Sequence, residues 1–111
     1  MGLETELAAL ESAGDRAGIR DSLWAVDGID AEHLDTPHPY AATCVVFTTD
    51  SQMGGPGGVF KAPIEGRLWL DLWRAADAAI RASEVEHHRF VTGFSVAPEH
   101  PSNLDLQTGS W

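Results

Sequence analysis

The stretch EGRLWLDLWRAADAAIRAS, residues 65–83, decides the fold. Leu68, Trp69, Leu72, Trp73, Ala76, Ala79 and Ile80 recur at three- and four-residue spacing, which gathers them into one broad stripe on a helix. Arg67, Asp71, Arg74, Asp77 and Arg81 alternate in sign along the other side, where charges three or four residues apart neutralise one another. The spacing predicts the longest helix of the chain, with Leu68, Trp69, Leu72, Trp73 and Ile80 buried against a sheet and the charged face in solvent.

The sheet is read outward from that helix. Residues 41–49 (AATCVVFTT) are apolar and β-branched on both parities, as in a central strand covered on both faces. Asp50 to Gly58 reads as a glycine-rich connector. From His87 to Val96 apolar and polar residues alternate, the period of a strand, and Leu104, Leu106 and Thr108 repeat that period after a turn at 98–103. These two strands are expected to pair as an antiparallel hairpin. Ahead of the sheet, Leu3, Leu7 and Leu10 mark a first helix that stops at Ala13-Gly14. Asp15 can cap a second, carrying Ile19, Leu23 and Trp24 and ending at Asp27-Gly28. The fold class is α+β, one small domain over residues 1–111 in the order α-α-β-α-β-β, with a small, mainly antiparallel sheet packed on a long amphipathic helix.

With 111 residues and 43% hydrophobic content, the chain can bury one core and does not read as disordered. The lone Cys44 sits in the apolar 41–49 run and reads as a small core residue. The amino terminus is acidic where a secretory leader needs basic residues, and no apolar run approaches the roughly 20 residues that cross a bilayer. A cytoplasmic protein without a membrane partner is expected.

Charge is distributed unevenly. Residues 1–35 carry nine acids against Arg16 and Arg20, a net −7 of the chain's −10, whereas residues 36–111 are nearly balanced. Neighbours in this acidic helical region are like-charged or apolar, so its field stays open over about a Debye length, ~8 Å in physiological salt. Solubility alone would explain the pattern, and so would a docking surface for a basic protein. On the docking reading the contact residues are Glu4, Glu11, Asp15, Asp27, Asp30 and Glu32, with the terminal Trp111 as an aromatic anchor. Direct nucleic-acid binding is disfavoured, since it depends on Lys and Arg neutralising phosphates.

Glu84-Val85-Glu86-His87-His88-Arg89 is the densest run of metal-binding side-chain types, and His33, Asp35 and His38 are the other candidates to join it. On a strand, however, His87 and His88 point to opposite faces and cannot easily hold one ion. The histidines therefore read as structural, and no metal or cofactor is expected. The Gly54–Gly58 loop lacks the spacing and the Lys-Ser/Thr ending of a phosphate loop. No Gly-x-Ser-x-Gly accompanies a candidate nucleophile.

The expectation is a non-enzymatic acidic protein-binding module. Its economy of design is that of small inhibitors, of the immunity type or the phage- or mobile-element-encoded anti-defence type, that occupy the basic nucleic-acid-binding surface of a target protein. This is an analogy of type with no motif behind it. The alternatives are a small-ligand, metal or catalytic domain built on the histidines, and a subunit of an obligate oligomer such as a homodimer.

Overall fold

The computed structural model describes residues 3–109, and the side chains of all of these except residues 3, 4 and 51. In chain order the elements are α1 (Leu3–Ala17), β1 (Leu23–Trp24), β2 (Cys44–Thr49), β3 (Gly58–Pro63), α2 (Trp69–Ser83), β4 (Phe90–Ala97) and β5 (His100–Gly109), with short 3-10 turns at Ala31–His33 and Ser51–Met53. The five strands form one sheet in the order β1-β4-β5-β2-β3. The α+β class and the helix packed on a sheet are as the sequence indicates.

Helix α2 begins at Trp69 rather than Glu65 and has 15 residues, the same length as α1. Its first turn is tied from two sides. Trp69 and Leu70 donate their amides to the carbonyls of Thr36 and Leu34 (3.0 Å each), and the Asp71 carboxylate accepts from the Leu68 amide at 2.9 Å. The extended, proline-containing segment 34–38 thus satisfies helix-end donors that have no partner inside the helix. Trp69, Leu72, Trp73 and Ile80 are buried as expected, over β2 and β3, whereas Leu68, expected among them, is half-buried because it precedes the first helical residue in an extended conformation.

One charge of α2 departs from the expected solvent face. Asp77 is 2% exposed, because it lies four residues after Trp73 and three before Ile80 and so shares their stripe. The paired-charge pattern holds for Arg74 with Asp71 (3.7 Å) and for Arg81 with Asp77 (2.8 Å).

The antiparallel β4–β5 hairpin is observed, with a tighter turn than expected, since Ala97 pairs with His100 across Pro98-Glu99. In β5, Leu104 and Leu106 are buried while Asp105 and Gln107 face out. Strand β2 lies inside the sheet with Val45, Val46 and Phe47 all buried. Cys44 is half-buried there, and its Sγ donates to Asn103 Oδ1 at 3.0 Å.

Three features refine the expected arrangement. The sheet is mainly antiparallel as expected, through β4–β5 and β2–β3, but mixed, because the shorter β1–β4 and β5–β2 pairings are parallel. Strand β3, which starts at the last residue of the expected connector and runs through residues to which the sequence assigned no element, is an edge strand that tolerates Pro63 at its end. The third concerns the expected pair of helices in the first thirty-five residues, which is one helix followed by a strand. Gly14 does not stop α1, because without a Cβ it lies against the Trp73 indole, where a methyl would meet the ring at 3.0 Å. The helix ends instead at Gly18, whose φ of 77° is the left-handed conformation that glycine adopts without strain. Gly18 donates to Asp15 O (3.2 Å) and Ile19 to Gly14 O (2.9 Å), the paired bonds of a Schellman end with a buried Ile19 after it.

Candidate protein-docking groove

The segment leaving α1 is held in place by the buried Asp77. Its carboxylate accepts from the Asp21 amide (2.8 Å), Ser22 Oγ (2.6 Å), the Arg20 amide (3.4 Å) and Arg81 Nη2 (2.8 Å). Trp73 Nε1 donates to Ser22 Oγ at 3.0 Å. Arg81 also donates to Asp21 at 2.6 Å. That bond, supported by the charges of Asp77 and Asp21, raises the Arg81 guanidinium above its ordinary range against the opposing effect of burial. A carboxylate with four donors fixes where the next residues begin.

Those next residues are β1. The Leu23 amide donates to Arg89 O (2.9 Å) and the Ala25 amide to Val91 O (2.8 Å), which lays β1 along the outer side of β4. Trp24 is buried at the centre of an aromatic cluster, 5.6 Å from Trp73, 6.2 Å from Trp69 and 6.1 Å from Phe94 between ring centroids. Its indole N–H is satisfied by Ile29 O at 2.8 Å.

Between α1 and β1 lies a cleft of ≈ 860 Å³. Leu10, Trp24, Trp73 and Phe90 contribute to its lining, and Leu7 and Leu23 stand in it 51% and 50% exposed. Its charged lining residues are Glu6, Glu11, Asp15 and Arg20, three acids and one base. The Asp15–Arg20 pair, at 3.4 Å with both side chains about 70% exposed, is too solvated to hold the rim closed. Glu6 braces the far end by accepting from the Ala31 amide at 2.7 Å. The outcome is an apolar floor under a rim of net −2.

Of the residues expected to meet a partner, Glu11 and Asp15 line this groove. Asp27, Asp30 and Glu32 are exposed but are not part of the lining. The Glu4 side chain and Trp111 lie outside the described residues. Nothing in the sequence marks Leu7 and Leu23 as lining residues, because both fit apolar helical stripes.

The histidines do not converge. His33 accepts from the Asp30 amide at 3.1 Å, and among the described residues Asp30, Glu32 and His33 are the one group of three whose ligand atoms lie within 4.8 Å. Asp35 is exposed and outside that group. His38 belongs to the aromatic packing, stacked on Tyr40 at 6.0 Å with Trp69 edge-on at 6.4 Å. Its Nδ1 accepts from the Tyr40 amide at 3.2 Å, which leaves the proton on Nε2, a buried atom with no hydrogen-bond partner.

His87 and His88 overturn the strand-parity argument. Strand β4 starts only at Phe90, so both residues lie in the α2–β4 connection, and His88 has φ 67°. Their Nδ1 atoms are 2.9 Å apart. The glycine loop has a packing role here. A Cβ on Gly54 would lie 2.8 Å from Glu86 Cβ, and one on Gly55, where φ is 110°, would lie 2.9 Å from Glu84 O. The Glu86 and His87 amides both donate to Met53 O, at 3.2 and 3.4 Å.

Among the described residues no helix is long and apolar enough to cross a membrane. Comparison with protein-family models, curated proteins and solved structures finds no match to this chain.

Proposed function

We propose that the protein is a non-enzymatic acidic binding module of the cytoplasm, an inhibitor that seats its α1–β1 groove on the basic, nucleic-acid-binding surface of a target protein. The observation that supports this most is the groove itself, with half-exposed Leu7 and Leu23 in it and Glu6, Glu11 and Asp15 around it. Two half-exposed leucines within one concave apolar cleft suit a contact surface better than isolated exposed residues such as Val59 and Val96 do, and the sign of the rim selects the occupant. It is a segment of the target that inserts apolar side chains between Leu7 and Leu23 and flanks them with Arg or Lys. Such a segment normally receives phosphate, so occupying it blocks nucleic acid by competition rather than chemistry. The immunity-type and phage anti-defence settings are both compatible with this mode of action.

The test uses the immobilised full chain to capture proteins from the native host, followed by displacement of labelled nucleic acid from whatever is captured. The proposal expects a nucleic-acid-binding protein whose labelled ligand is released by the wild type and retained in the presence of the Leu7→Asp, Leu23→Asp double variant. Capture unaffected by the double variant, release of nucleic acid by both forms, or self-association through the groove as its only occupancy overturns it.

A further inference from the structure

We propose that His87 and His88 form a two-nitrogen chelate for a divalent transition-metal ion of tetragonal preference, Cu(II) or Ni(II), a site separate from the docking groove. Imidazole nitrogens bind such ions at about 2.0–2.1 Å, so two of them at a right angle around one ion stand about 2.9 Å apart, whereas tetrahedral ligation needs about 3.4 Å. The Nδ1–Nδ1 distance is 2.9 Å. Without metal the two rings share a hydrogen bond; binding requires that the donor ring carry its proton on Nε2 instead and that both rings turn so their Nδ1 lone pairs meet at the ion, with water completing the coordination.

The turn that sets this distance is built rather than loose. Glu84 ends α2 in the left-handed conformation at φ 58°. Val85 is buried, and its carbonyl accepts from Arg89 Nε (2.9 Å) and Nη2 (2.7 Å). The Met53 carbonyl holds the Glu86 and His87 amides from the other side, over glycines that leave no room for a Cβ. His88 at φ 67° then turns its ring back onto that of His87. The exposed carboxylates of Glu84 and Glu86, set against the one cation Arg89, leave the turn with a net charge of −1, which weakly favours a cation.

Titration of the full chain with CuSO4, followed calorimetrically and by the nitrogen hyperfine pattern in the electron paramagnetic resonance spectrum, tests the site. One equivalent should bind through two nitrogens. His87→Gln and His88→Asn, the latter tolerant of the left-handed backbone, should each weaken binding at least roughly tenfold, the least that loss of even a supporting residue commonly costs. Gly54→Ala should weaken it with both histidines still present, and circular dichroism confirms that each variant is folded. His33→Gln should leave affinity unchanged. Loss of the ion in His33→Gln, indifference to His87→Gln and His88→Asn, affinity unchanged in Gly54→Ala, or the absence of a saturable equivalent overturns the proposal.

Discussion

The two helices have the same length and opposite employment. On α2 the apolar stripe is covered by the sheet, and its acids are engaged by Leu68, Arg74, Arg81 and the 20–22 turn. Among the described side chains of α1 only Ala13 and Gly14 are buried, Leu7 is left half-exposed, and Glu11 makes no ion pair among the described residues. The same residue types therefore hold the molecule together in one place and face outward in the other. Net charge does not separate these cases; the position of each acid relative to the apolar stripe does, as Asp77 and Glu11 illustrate.

The comparison implies a ladder of effects. Trp73→Ala removes a buried indole that contacts both Gly14 and Trp24, and should destabilise the fold by about 3–5 kcal/mol. A thermal midpoint within a degree or two of wild type would break the assignment of α2 to the core. Asp77→Ala strips the 20–22 turn of its acceptor and should cost about 1–3 kcal/mol, read by urea unfolding. Leu7→Asp with Leu23→Asp should cost roughly 1 kcal/mol per site, the value of the half of each leucine that is already buried, and leave the protein folded. Covering the exposed halves of both leucines contributes about 1.5–3 kcal/mol to docking, so the double variant should bind the target about tenfold more weakly or worse.

Where an element was long and its period clean, as in α2 and the β4–β5 hairpin, the amino-acid pattern carried the structure. Strand β1 was hidden because two residues cannot display a period, and Leu23-Trp24 fits a helical stripe equally well. Strand β3 was hidden by the glycines before it and Pro63 within it. Asp77 was legible in principle: its spacing from Trp73 and Ile80 places it on the buried side, and treating it as a surface residue because it is charged was the error. The cleft was partly legible, because the charge asymmetry lay on α1 acids that line it but gave no sign of the leucines beside them. The His87–His88 pair was not legible, since it depends on a left-handed turn set by Met53 and the glycine loop, contacts more than thirty residues apart in the chain.

The most direct measurement is the association rate with the captured target as a function of salt. The wild type is compared with Glu11→Gln, Asp15→Asn in the groove rim and with Glu99→Gln, Asp105→Asn on the hairpin, two exposed pairs that change net charge equally. Rim charges act mainly through the encounter rate. The groove pair should therefore slow association at low salt by up to about a decade and flatten its salt dependence, with the dissociation rate little changed. The hairpin pair should leave both nearly as in the wild type. Equal slowing by the two pairs would reduce the acidic region to a general charge effect and contradict the groove as the docking surface.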